Sequence, residues 1–236
     1  AGLKRVTLEL GSNAAVIIDE DVELTDEIIE RVKWGAFVNN GQVCISVQRV
    51  FVHETKMHEF LSKLKKAMES VVVGDPLLEE TDVSALISKK DVERIDMWVQ
   101  EAIKEGATVL CGGKKQDARI FEPTVLTNVP DHVSVQCQEV FGPLMTVNTF
   151  KEFDEAIEQV NNSRYGLQAG VFTNNLFKAM RAIDELEVGG VMINDIPTFR
   201  VDHMPYGGVK ESGTGREGIK YAIEEMTEMK LVCIKK

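Results

Sequence analysis

No basic excess is present in this sequence: 27 lysines and arginines stand against 38 aspartates and glutamates, for a net charge of -11 over 236 residues. An acidic surface repels phosphate backbones and anionic headgroups, so nonspecific binding to nucleic acid or to a membrane surface is excluded as a main role. No CxxC pair occurs among Cys44, Cys111, Cys137 and Cys233, and His53, His58, His132 and His203 are scattered. Zinc-ligand spacing is therefore missing, and no structural metal is expected. Unpaired cysteines suit a reducing, cytoplasmic setting. No apolar run approaches the roughly 18 to 20 residues that cross a bilayer. The opening stretch AGLKRVTLELG has neither a signal-peptide apolar region nor a starting methionine, and it reads as a cut in a longer chain. Repeats, low-complexity tracts and long linkers are absent as well, which leaves one compact domain.

What is present is enough apolar material for a core, 44% of residues, arranged with two alternating periods. Runs of strand length occur at Val6 to Leu10, Ala15 to Ile18, Val50 to His53, Thr108 to Cys111, Thr124 to Thr127, Leu144 to Phe150, Gly170 to Thr173 and Gly190 to Asn194. Helical spacing appears between them, at Met57 to Met68, Val92 to Ile103 (stopped at Gly106), Phe153 to Val160, Leu176 to Leu186 and Tyr221 to Met226. Interleaved strands and helices predict an α/β sheet flanked by helices. Met229 to Ile234 alternates again at the end of the chain, either as an ordinary edge strand or as one that adds to another subunit's sheet.

Four segments carry residues with chemistry. NNGQVCISVQR, Asn39 to Arg49, places Cys44 behind a Gly-Gln pair where the backbone can turn and expose a thiol. The nucleophile is the thiolate, so Cys44 needs neighbours that stabilise negative charge, and N–H groups freed by a turn at Gly41 can supply them. A cysteine between Val43 and Ile45 also suits a core position. Upstream, TLELGS holds Glu9 between Leu8 and Leu10, apolar neighbours of the kind that raise a carboxylate toward the range of a general base. A surface glutamate at a strand end is the competing reading. QEVFGP sets Glu139 beside Phe141, a carboxylate and a ring that suit a pair of sugar hydroxyls and a flat heterocycle. Arg200, in IPTFRVDHMPYGG with His203, offers a guanidinium to a carboxylate, phosphate or sulfonate, unless it pairs with Asp195 or Asp202. Gly207, Gly208, Gly213 and Gly215 form no phosphate loop, because neither GxxxxGKS/T nor a GxGxxG between strand and helix is present.

In this order, LELGS, GQVC, EVFGP and PYGGVKESGTGR resemble the NAD(P)-dependent aldehyde dehydrogenase superfamily, through the whole chain but over only the C-terminal half of such an enzyme. The resemblance implies an open, mostly parallel α/β sheet over residues 1–228 as a catalytic domain, and an oligomerisation strand at 229–236. It implies Cys44 as nucleophile, Glu9 as general base, Glu139 on the nicotinamide ribose, Phe141 beside the cofactor, and Arg200 and His203 near the aldehyde entrance. Ser12 stands where the family has a second glycine, which is expected to alter the loop beside Glu9 slightly. Gln138 stands where many members have a first glutamate. The implied cofactor is NAD or NADP, held chiefly by an N-terminal Rossmann-like domain, so tight binding to this chain is not expected. The implied partners are a small aldehyde and further copies of the chain, as a homodimer or homotetramer. The sequence around Arg200 resembles the branch containing lactaldehyde and phosphonoacetaldehyde dehydrogenases. Two other roles stay open: a cysteine hydrolase or thioesterase pairing Cys44 with a histidine, and a noncatalytic assembly module.

Overall fold

The computed structural model describes residues 2–236. Its strands in chain order are β1 (Leu8–Glu9), β2 (Ala15–Ile18), β3 (Arg49–His53), β4 (Thr108–Cys111), β5 (Thr124–Thr127), β6 (Leu144–Phe150), β7 (Tyr165–Gly166), β8 (Gln168–Phe172), β9 (Gly190–Ile193), β10 (Val209–Lys210) and β11 (Gly213–Thr214). The helices are α1 (Asp26–Phe37), α2 (Glu54–Met68), α3 (Lys89–Lys104), α4 (Ser134–Cys137), α5 (Phe153–Asn161), α6 (Leu176–Glu185) and α7 (Ile219–Met226). Seven strands form one sheet in the order β4-β5-β6-β3-β2-β8-β9, parallel throughout except for β4 against β5. β1 pairs with β11, and β7 with β10, as short antiparallel ribbons.

β2 and β3 are buried at every position, as strands covered on both faces of a parallel sheet must be. Side chains alternate between the two faces. Val16, Ile18, Val50, Val52 and Val147 meet α1 and α2 through Ile29, Val32, Ala36, Phe60 and Leu64. Ala15, Ile17, Phe51, Ala169 and Val171 meet α5 and α6 through Phe153, Ile157, Val160 and Ala182. A third cluster packs α3, through Val92, Ile95 and Val99, on Phe121, Leu126 and Leu144. Each such fully buried aliphatic contributes about 1.5 to 3 kcal/mol, so the parallel centre holds most of the fold's apolar stabilisation.

The eight strand-length runs all give strands, with Val6 to Leu10 shortened to Leu8–Glu9. α1 and α4 are additions to the expected helices. Met229 to Ile234 forms no strand with the described residues of its own chain, and Met229, Leu231, Val232 and Ile234 are exposed. Among the described residues, no helix is long and apolar enough to cross a membrane, and no cluster of metal-ligating side chains occurs.

Candidate active site

Three adjacent strands, β2, β3 and β6, begin just after Glu9, Cys44 and Glu139 respectively, so the segments that feed them meet at the amino end of the sheet. The cysteine segment is shaped by α1. Thr25 Oγ1 accepts the Ile28 N–H at 3.3 Å, and Asp26 and Glu27 occupy the first turn, where the helix dipole favours anions. After Phe37 the chain tightens into a 3-10 turn, Val38–Gly41, with Asn39, Asn40 and Gly41 consecutively left-handed at φ 50, 61 and 67°. Asparagine enters that region more readily than most residues. Asn40 is also tied down, its Oδ1 accepting Ser84 N–H at 2.6 Å. Gly41 is required for space too, because a Cβ there would lie 2.2 Å from the Gly142 carbonyl oxygen. Cys44 follows on a turn, half-buried, before the chain enters β3.

Two side chains behind Cys44 fix what surrounds it. Gln48 donates to the Val135 and Gln138 carbonyls at 3.0 and 2.7 Å and accepts Val140 N–H at 2.9 Å, clamping the segment that carries Glu139 and Phe141. Arg49 is buried and donates to three carbonyls, Asn13, Gln159 and Val160, the last two at the carboxyl end of α5. Burial lowers its pKa to about 10, opposed by the charge of Asp131, so it stays cationic at neutral pH.

Glu9 pairs with Gly213 across the β1–β11 ribbon. Gly213 lies at φ 138°, and a Cβ there would sit 2.0 Å from the Leu8 carbonyl oxygen, so the glycine-rich segment places Glu9 by approaching it backbone to backbone. Both carboxylate oxygens are buried without a hydrogen bond from the described residues. The carboxyl is held above its usual range by burial first and by Glu217 second, with Arg200 and Arg216 opposing. Leu8 and Leu10, expected to do this, are 43% and 48% exposed and do not. Neither Ser12 nor Gly11 has positive φ, so the serine is not strained there. Its N–H instead donates to Glu139 Oε1 at 2.8 Å, and Gly11 leaves room for that carboxylate, which a Cβ would meet at 2.5 Å.

Glu139 is half-buried, its carboxyl raised by burial and lowered by the Ser12 N–H and Arg94. Its Oε2 accepts nothing from the described residues, and Phe141 stands nearby at φ 46°. The carboxylate is thus held through one oxygen, with the other left open beside a half-buried ring.

Arg200 pairs with Glu217 at 2.7 Å, not with Asp195 or Asp202; Asp195 is taken by Arg31 at 2.7 Å. Its guanidinium lies 4.1 Å over the ring of Tyr206. His203 is exposed and lines a surface recess with Ile219, Lys220 and Ile223, apart from this cluster. Among the described residues no histidine is bonded to Cys44: His53 binds Thr55 and the Lys151 carbonyl, and His132 faces Glu105. Tyr206 lies inside PYGGVKESGTGR, but from the sequence alone it has no expected role. Its hydroxyl lies 2.8 Å from Cys44 Sγ, and the charge of Glu9 acts on its phenol. A roomier recess of about 560 Å³ opens at the opposite, carboxyl end of β2, β8 and β9, lined by Val22, Arg31, Asn174 and Phe199, and includes none of Glu9, Cys44, Glu139, Arg200 and Tyr206.

The model of the aldehyde dehydrogenase family matches residues 1–232. A 3-sulfolactaldehyde dehydrogenase of Priestia aryabhattai is 51% identical over 234 residues, covering 99% of this chain and 49% of the relative. A lactaldehyde dehydrogenase of Methanococcus aeolicus is 43% identical, covering 99% and 50%. The crystal structure of a glyceraldehyde-3-phosphate dehydrogenase from Methanocaldococcus jannaschii, complexed with NADP, superposes with a TM-score of 0.95 at 40% identity, covering 100% of this chain and 51% of that one. The chain thus spans about half the length of the relatives it matches.

Proposed function

This chain belongs to the aldehyde dehydrogenase family, and from that premise we propose that the whole protein oxidises a small anionic or hydroxylated aldehyde to its carboxylic acid through a thioester on Cys44. One observation carries the reading: Cys44 and Arg200 both contact the same buried side chain, Tyr206, and Glu9 lies near enough for its charge to bear on that phenol. The Cys44 sulfur adds to the aldehyde carbon, a C–S bond forms, and the carbonyl oxygen takes up the displaced electron pair. Glu139 and Phe141 are the residues here that would hold the nicotinamide end of NAD or NADP, which would supply the acceptor for the hydride lost from that carbon. The resulting thioester is open to water. Glu9 takes a proton from that water, its oxygen attacks the acyl carbon, and the C–S bond breaks to return Cys44 as thiolate. A carboxyl raised by burial, with no bond to break first, suits that base.

The substrate class rests on Arg200. Its side chain is 41% exposed and its guanidinium offers a forked donor to an anionic tail, in keeping with the sulfonated substrate named for the Priestia relative. His203 has no part in this reading. A cysteine–histidine hydrolase is disfavoured, since the imidazoles of His53 and His132 are engaged elsewhere and none reaches the sulfur.

The test is pre-steady-state kinetics of the whole enzyme with lactaldehyde or sulfolactaldehyde. Glu9→Gln is expected to keep a rapid burst of about one NADH per site and to lower the following steady-state rate by about 100-fold or more. Steady-state turnover equal to wild type removes Glu9 from the mechanism.

A further inference from the structure

We propose that Tyr206 is the positioning residue of the Cys44 nucleophile: its phenolic O–H donates to the sulfur, fixes the orientation of the side chain and favours thiolate over thiol. The inference rests on Cys44 being the reactive thiol, as proposed above. The oxygen–sulfur separation is 2.8 Å, and in the neutral pair either atom can be the donor. Ionisation removes the ambiguity, because a thiolate has no proton and only the phenol can donate.

The phenol is built for that one bond. Tyr206 is 3% exposed, and Cys44 is the only hydrogen-bond partner of its hydroxyl among the described residues. A buried hydroxyl left unpaired is costly, so the bond is not readily exchanged. The ring is held on several sides. Tyr206 N–H donates to the Glu217 carbonyl at 3.2 Å and its own carbonyl accepts Glu217 N–H at 2.6 Å, while Ile45 and Leu167 pack against the side chain. Arg200 covers the ring face at 4.1 Å. Burial, the bond to Cys44 and the charges of Cys44 and Glu9 push the phenol's own ionisation far upward, with Arg200 opposing, so the hydroxyl keeps its proton through the working range. A donor fixed in advance and never itself ionised spends nothing on reorganisation when the sulfur becomes charged.

The charged groups gathered here come from three other segments: Glu9 on β1, Arg200 on the loop after β9, and Arg216 and Glu217 after β11. Glu9 and Glu217 carry one sign and Arg200 and Arg216 the other, so opposite charges gather at the site. The neutral donor therefore has a separable effect.

The experiment follows iodoacetamide alkylation of Cys44 in this chain against pH by mass mapping, with half-buried Cys111 as internal reference. Tyr206→Phe keeps the ring and removes the donor. Its pH–rate midpoint is expected to rise by about one unit, with alkylation about tenfold slower below the midpoint and equal to wild type above it. 3-Fluorotyrosine incorporated at position 206 keeps the packing and strengthens the donor, and its midpoint is expected to fall. A merely structural role for the ring would move neither profile in this paired way. An unchanged midpoint in either variant, or a lower one in Tyr206→Phe, overturns the inference while leaving Cys44 as nucleophile intact. A wild-type Cys44 that reacts after Cys111 and Cys137 overturns the active-site reading itself, and this inference with it.

Discussion

Glu9 is a carboxylate placed where ionising it is unfavourable. Its folded pKa is raised, by burial and then by Glu217, so the stabilising contribution is complete below the unfolded value of 4.5 and is lost as pH rises through the folded value. At pH 8 the wild-type chain therefore carries a penalty that a neutral amide lacks. The difference in Tm between Glu9→Gln and wild type is expected to be more positive at pH 8 than at pH 4, measured by calorimetry in both buffers. A gap that stays constant, or shrinks with rising pH, means that Glu9 is solvated like any surface glutamate. The sequence made Glu9 and Cys44 legible because each lies in a short local motif, LELGS and GQVC. The cause of the raised pKa was not legible: Leu8 and Leu10 turn outward, and the glycine-rich segment that covers Glu9 lies some two hundred residues downstream. Tyr206 was hidden for the same reason, since a tyrosine in PYGGVK carries no spacing signal and meets Cys44 across 162 residues. Arg200 was legible as a guanidinium, but its partner was not: it pairs with Glu217, while Asp195 pairs with Arg31.

At the scale of elements, the parallel centre of the sheet could be read from runs such as AVII and RVFVH, because strands buried on both faces leave continuous apolar stretches. α1 was not read, although Thr25, Asp26 and Glu27 ahead of Ile29, Val32 and Ala36 form a capped, amphipathic start. Its last turn dissolves into Asn39, Asn40 and Gly41, and that left-handed exit obscures the helix while making the nucleophile turn. The link between this element and the Glu139 segment is equally non-local. Gln48 satisfies one N–H and two carbonyls of residues 135–140 from a position inside the cysteine motif. Gln48→Ala strands those three groups in a buried place and is expected to cost about 1 to 3 kcal/mol by chemical denaturation. Hydrogen exchange should show Val140 N–H losing protection before the β3–β6 ladder does. A variant as stable as wild type, with Val140 still protected, means the segment holds its shape without the glutamine.

On the scale of the whole molecule, the described chain ends in apolar surface that nothing in it covers. Along α7, Ile219, Ile223 and Met226 are 68%, 58% and 85% exposed, at helical spacing on one side, and the residues that follow add Met229, Leu231, Val232 and Ile234. Arg5 fastens the base of this region through the Glu224 and Thr227 carbonyls and Glu228, so α7 is attached while its apolar side stays open. A monomer rarely keeps so many exposed apolar side chains in sequence without a partner. The backbone of Met229 to Ile234 pairs with no strand of its own chain, so its N–H and C=O groups are free to join the sheet of another copy, where main-chain bonds add to apolar burial. The proposed state is a homodimer or homotetramer that includes this segment. Deleting Met229 to Ile234 is expected to shift the chain toward monomer in sedimentation velocity at micromolar concentration, with some loss to aggregation through the apolar side of α7. Replacing Leu231 and Ile234 by aspartate should produce the same shift, because the charges oppose burial while the backbone remains able to pair. An undeleted chain that already sediments as monomer, or an assembly indifferent to both changes, would assign association to a different surface and leave the exposed segment without a structural role in this chain.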